Sequence, residues 1–325
     1  MNSLWLRPAG SSVYSCSVLI LLVLVFVVPY LATLAQDKAD MPPHDLIGEH
    51  GRFLDIDGAA IYVEERNPES SRQAIVFLHG FGGSTFSWRH NVPFFADRGY
   101  RVISLDMKGF GLSHKDAESD YSHPAQAELV AQVLAMLDVD RAYIVGHSMG
   151  SSVMIHFAHL YPEKVLGLVS AAGALNLEHR PTYRAALLRF GPLRMAGEAF
   201  LVRYISKQRV SRILESAYHK DMVTTEILDG YYDRIVIGRW AGSLLAMTRD
   251  MHKNTVSFPL EDMAFPTMIL WGEHDTWIRR PYIDRWKDRI PGAEFHVIPG
   301  TGHMLMEEDP ELFNDMVLAF LEAHA

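Results

Sequence analysis

The sequence predicts an α/β chain: a mostly parallel sheet with helices on both faces, interrupted once by a block of helices and preceded by an apolar segment. Three observations predict it. Short apolar, β-branched runs alternate with helical patterns from about residue 73 to 172, and the alternation returns from Thr267 to Ala323, the rhythm of a parallel sheet with helical crossovers. Between about Leu175 and Leu260 the alternation fails and only helical patterns are found, so a helical block is inserted into the sheet-forming chain. Near the middle, Tyr143-Ile144-Val145 runs through Gly146-His147-Ser148-Met149-Gly150 into a helical pattern from Ser151 to Leu160. A chain of 325 residues suits one large α/β domain carrying an insertion.

The elements follow in order. Residues 1–36 stand apart: no charge lies between Arg7 and Asp37, and Val18 to Val28 is unbroken apolar sequence. Two readings compete. A cleaved signal peptide would use Arg7 as its positive end and Thr33-Leu34-Ala35 as its small-residue site. An uncleaved anchor would use about twenty residues, enough to cross a bilayer. With Arg7 before the run and Asp37, Asp40, Asp45 and Glu49 after it, the main domain is expected on the non-cytoplasmic side, membrane-anchored or, after cleavage, secreted or periplasmic. Residues 37–50, with Pro42-Pro43, read as a linker. Residues 51–174 form the first part of the core. Arg52 to Gly58 and Ala60 to Glu64 pair as a hairpin turning at Asp57-Gly58. Gln73 to Leu78 is a short buried strand that enters His79-Gly80-Phe81-Gly82-Gly83, and Ser84 is placed to cap a helix carrying Trp88. Arg101 to Met107 and Val165 to Ala172 are further strands, with a helix over Pro124 to Leu137. Residues 175–260 are the helical block. Residues 261–325 complete the core with strands at Thr267 to Trp271 and Glu294 to Ile298, and helices at Pro281 to Arg289 and Pro310 to Ala323.

Composition narrows the chemistry. A formal net charge of −9, with no long basic tract outside the inserted block, argues against nucleic acid as a partner. The single cysteine, Cys16, lies in the apolar N-terminal region, so thiolate catalysis, cysteine zinc sites and disulfides are excluded from the domain. No cofactor or metal is expected.

A strand that turns into a helix through G-x-S-x-G pushes its serine hydroxyl out above the sheet, and the flanking glycines let strand and helix approach. Ser148 is therefore the expected nucleophile. A serine hydroxyl needs an adjacent base, itself oriented by a carboxylate. Asp275, in Trp271-Gly272-Glu273-His274-Asp275, is the expected acid, with Glu273 as competitor; it lies farther out on the loop, where an acid must reach a histidine. His303, in Gly300-Thr301-Gly302-His303 between the last strand and the last helix, is the expected base. Developing oxyanion charge needs donors, expected from the backbone N–H groups of Met149 and Phe81. Gly80, Gly82, Trp88, His147 and Met304, which flank these groups, are expected to border the substrate pocket, although His147 points to the other side of the turn from Ser148.

His79-Gly80-Phe81-Gly82-Gly83, Asp106 to Ser113 (D-M-K-G-F-G-L-S), G-H-S-M-G, W-G-E-H-D and G-T-G-H-M occur in the order and spacing of the α/β-hydrolases, and residues 50–325 resemble that superfamily. The resemblance implies an eight-stranded sheet with its second strand antiparallel, a helical cap formed by the inserted block, and a structural role for the Asp106 segment. Ser151 stands where many relatives have a second glycine. A serine nucleophile argues against the epoxide hydrolase and haloalkane dehalogenase branches, which use aspartate. The expected activity is hydrolysis of carboxylic esters through an acyl-enzyme, on a small-molecule or lipid ester such as a monoacylglycerol. Rival activities are C–C hydrolysis of the meta-cleavage product type, cofactor-free haloperoxidase chemistry, and ligand binding without catalysis. In the cap, Arg184, Arg189, Arg194, Arg203, Lys207 and Arg209 are interleaved with Phe190, Leu193, Phe200 and Tyr204, with Glu198 the only acid among them. Such a pattern fits either a cap packed on the core with a solvated basic side or an interfacial element at a lipid surface.

Overall fold

The computed structural model describes residues 44–173, 175, 177 and 187–325. The apolar run from Val18 to Val28, on which the anchor and signal readings rest, lies outside the described residues. Among the described residues no helix is long and apolar enough to cross a membrane.

Eight strands form one sheet: β1 (Gly51–Ile56), β2 (Ala59–Arg66), β3 (Ala74–Leu78), β4 (Arg101–Leu105), β5 (Ala142–His147), β6 (Val165–Ala171), β7 (Thr267–Gly272) and β8 (Glu294–Ile298). Their order across the sheet is β1-β2-β4-β3-β5-β6-β7-β8. β2 is antiparallel to both its neighbours, and the other pairs are parallel. The β1–β2 hairpin closes at Asp57 and Gly58, with φ of 53° and 80°. Two successive positive φ values match the twist of a tight hairpin, and the Asp-Gly pair is the sequence that tolerates them.

The central strands are apolar throughout because both faces are covered. On one face Val76 and Ile144 pack with Val153 and Phe157 of the helix after β5; on the other Phe77, Tyr143 and Val145 pack with Phe313 and Val317 near the C-terminus. Every residue of β3 is buried. Each large apolar side chain so buried contributes about 1.5–3 kcal/mol. The helices of the core are α1 (Val92–Asp97), α2 (His123–Met136) and α3 (Met149–Leu160) before the inserted block, and α8 (Arg280–Arg289), α9 (Leu305–Glu308) and α10 (Pro310–Ala323) after it. Ser122 opens α2 by accepting from the Ala125 amide at 3.4 Å, with proline in the first turn.

Between β6 and β7 the described residues hold helices and no strand: α4 (Gly191–Tyr204), α5 (Lys207–Ala217), α6 (Thr225–Ile235) and α7 (Trp240–Asp250). The sheet register sets what this block covers. Leu78 pairs with Gly146, His147 with Ala171, and Gly272 with Ile298, so β3, β5, β6, β7 and β8 end on one rim. Parallel sheets carry their chemistry on loops at such a rim.

Candidate active site

Ser148 sits between β5 and α3 with φ 51° and ψ −112°, a left-handed conformation that few side-chain-bearing residues adopt. Its amide is held by Ala171 O at 2.9 Å. The glycines around it are required by space. A Cβ on Gly146 would lie 2.6 Å from the Gly150 backbone, and one on Gly150 would lie 2.7 Å from His79 O and strike Leu78 O. β3, the turn and α3 therefore approach to backbone contact, which aims Ser148 over the rim.

Asp275 and His303 come from the loops after β7 and β8. His303 Nδ1 stands 2.9 Å from Asp275 Oδ2, and both side chains are buried. Asp275 Oδ1 accepts from the Trp277 and Ile278 amides at 2.8 and 2.9 Å, so one carboxylate both closes its own turn and holds the imidazole. With Nδ1 engaged, Nε2 is the remaining nitrogen for proton transfer. Trp277 stacks on the His303 ring at 5.1 Å, a contact the sequence did not announce. Glu273 takes a different role: half-exposed, it accepts from the Gly300 amide at 3.0 Å and tightens the loop that carries His303.

Met149 is the first residue of α3, where backbone N–H groups lack helical acceptors. Phe81 lies in the loop after β3, its ring exposed and edge-on to Phe110 at 5.7 Å. That loop is fixed by His79, which sequence reasoning passed over. The His79 ring bridges Gly80 O (Nδ1, 2.7 Å) and the Met107 amide (Nε2, 3.0 Å). Burial lowers its pKa to about 4, so the ring is neutral, with Nδ1 as donor and Nε2 as acceptor. Asp106 secures the next loop by accepting from the Thr85 and Leu112 amides, each at 2.6 Å.

A cavity of about 210 Å³ joins these groups: Ser148, His303, Phe81, Gly80, Gly82, His147 and Met304 all border it. Its roof comes from the inserted helices, through Val210, Leu214, Tyr231, Trp240 and Met247 among others. Trp88 is a correction. It is fully buried and does not border the cavity; it packs against Phe77 at 4.9 Å and Phe313 at 6.3 Å, beneath the turn. His147 both borders the cavity and supports the His303 loop, with Nε2 3.0 Å from His303 O. Burial holds its ring neutral, well below the ordinary histidine range.

The roof is tied to the base loop by α9. Glu307, four residues after His303, is buried and accepts from Tyr218 Oη at 2.7 Å and from Tyr231 Oη, and pairs with Arg89 at 2.5 Å. Glu308 accepts from the Gly302 amide at 2.8 Å and from the His219 and Lys220 amides at 2.8 and 3.0 Å. The His303 amide itself donates to Ala217 O at 2.8 Å. The cap bases are partly spent. Arg194 pairs with Glu118 at 3.1 Å and Glu198 at 3.4 Å, Lys207 pairs with Asp229, and Arg209 lies 3.7 Å over the Tyr204 ring. Arg184 is outside the described residues. Among the described residues no group of three His, Cys, Asp or Glu is arranged to hold a metal ion.

Residues 75–316 match a family model described as "Alpha/beta hydrolase family". The uncharacterized hydrolase YugF of Bacillus subtilis (strain 168) is 30% identical over 276 residues, covering 83% of this chain and 97% of the relative. A 2-hydroxy-6-oxononadienedioate/2-hydroxy-6-oxononatrienedioate hydrolase of Paraburkholderia phymatum is 29% identical over 273 residues, covering 81% of this chain and 92% of the relative. Among solved structures, that of Est816, described as an N-acyl homoserine lactone degrading enzyme, is 26% identical with a TM-score of 0.63 and covers 83% of this chain and 100% of its own.

Proposed function

The chain belongs to the alpha/beta hydrolase family and is a hydrolase, and from that premise we propose that it cleaves carboxylic esters through an acyl-enzyme on Ser148. Ser148 Oγ attacks the ester carbonyl while His303 takes its proton. His303 then protonates the departing alcohol, a water deprotonated by the same ring attacks the acyl carbon, and the acid leaves with Ser148 restored. Asp275 orients the imidazole and stabilises its protonated form. The N–H groups of Met149 and Phe81 receive the developing oxyanion. The observation that carries this reading is the buried 2.9 Å contact between His303 and Asp275 in the wall of the cavity that Ser148 borders. Likeness to an enzyme described as degrading N-acyl homoserine lactones, molecules that contain a cyclic ester, adds support.

Cleavage of a C–C bond is a second reading, favoured by the dienedioate hydrolases among the relatives. It uses the same nucleophile, base and acid on a ketone. A substrate panel on purified protein separates the two: esters of graded acyl length beside a 2-hydroxy-6-oxo-dienoate. The proposal expects Ser148-dependent ester turnover to dominate; dienoate cleavage faster than every ester would replace it with the second reading. Lipid esters enter this reading through the exposed apolar side chains of Leu187, Phe190, Leu193 and Phe200 on the cap, with Arg189 and Arg203 beside them.

A further inference from the structure

The cavity carries a charge pattern that the acyl chemistry does not use. Among the described residues bordering it, and apart from histidines, two are ionisable with a charge at neutral pH, Lys115 and Arg234, and both are cations. Lys115 comes from the loop after β4 and Arg234 from α6 of the cap. The Lys115 ammonium is buried and donates to Gly111 O and, at 3.5 Å, to Arg234 O, which leaves one of its three protons unspent. Arg234 donates to Gly230 O at 3.1 Å and Leu46 O at 3.3 Å and lies 5.1 Å over the Phe86 ring. Its buried Nε–H has no partner. No carboxylate among the described residues comes within the 4.0 Å of a salt bridge to either group. Asp106 and Glu64 act on them from farther off. The oxygens of Asp106 are taken by the Thr85 and Leu112 amides, and Glu64 accepts from Tyr62 Oη. Burial raises the pKa of both carboxyls above the ordinary carboxylate value.

Cations without acid partners in an apolar cavity are costly to keep, and an anion that enters with its own desolvated charge offsets that cost. We propose that Lys115 and Arg234 form a subsite for one carboxylate of the substrate other than the reacting group. The substrate is then an apolar chain with a reactive carbonyl toward Ser148 and a carboxylate toward Lys115 and Arg234. A monoanion fits better than a phosphate dianion, because Asp106 and Glu64 already oppose part of the cationic charge. This subsite rests on the hydrolase reading of Ser148 and redirects the monoacylglycerol-like ester that the sequence suggests.

The test is a matched series. Monomethyl esters of the straight-chain dicarboxylic acids from glutarate to sebacate are compared with methyl esters of monocarboxylic acids of equal length. The readout is the ratio of kcat/KM between the two members of each pair. For at least one length the wild-type ratio should exceed about tenfold, and Lys115→Met and Arg234→Gln should each lower it by about tenfold. A wild-type ratio at or below one at every length overturns the subsite, as does retention of the wild-type ratio in both variants. Should one variant not fold, the other variant decides. If no ester is turned over, the hydrolytic reading fails on its own, and calorimetric titration of Ser148→Ala with monomethyl suberate against methyl octanoate still tests the subsite. Tighter binding of the suberate supports it; equal binding overturns it.

Discussion

At Asp275 a single carboxylate closes its own turn with one oxygen and holds His303 with the other. Asp275→Asn keeps the turn acceptor but sets an amide where the histidine needs an acceptor, or turns the ring to its other tautomer. We expect kcat on an ester to fall by about 10³–10⁴-fold, while Glu273→Gln changes it by less than about fivefold. Equal losses in the two variants would return the acid role to Glu273. This choice was legible in the sequence only through reach: both acids follow β7, and the longer step along the loop favoured Asp275. Other residues were illegible for definite reasons. Trp88 lies on a short helix after the Gly80–Gly83 loop, and the sequence gives no direction for its ring; the space beneath Ser148 took it into the core. Lys115 and Arg234 are 119 residues apart and meet only through the packing of the cap on the β4 loop.

At the scale of elements, α9 is the piece that sequence reasoning left out. Four residues are too few for a periodic pattern, and Glu307 reads as an ordinary charge in a helical start. In the fold its carboxylate ties Arg89, Tyr218 and Tyr231 to the loop of His303. Burial and the Glu307 charge push both phenols above the ordinary tyrosine range, so they remain donors. Removing one partner of a buried ion pair strands the other, at about 3–5 kcal/mol. Glu307→Gln should therefore lower thermal stability by several degrees, and a further Arg89→Met change should recover part of that loss. Calorimetry on the two single variants and the double variant checks the coupling; additive losses would show that Arg89 and Glu307 act independently. The strands were far more legible than α9. Their apolar runs are buried on both faces, which removes the polar alternation and leaves short unbroken hydrophobic segments bounded by glycine and proline.

For the whole molecule, the sequence carried the order of the strands' motifs and therefore the rim on which Ser148, Asp275 and His303 gather. Substrate identity was not legible, because the cavity roof comes from helices whose apolar stripes look alike whether they cover a core, a ligand or a lipid surface. The exposed Phe190 and Phe200 on the cap make the last of these testable. In flotation with anionic vesicles, a chain lacking residues 1–36 should rise with the lipid, and Phe190→Ser with Phe200→Ser should weaken that binding by about tenfold. Equal flotation by the parent and the double variant would leave the cap without a lipid role. A fluorophosphonate probe with mass mapping of the adduct decides whether the strained serine at the rim is the reacting residue. A single adduct on Ser148 is expected in the wild-type protein and none in Ser148→Ala. An adduct on another residue, or labelling that persists in Ser148→Ala, would contradict it.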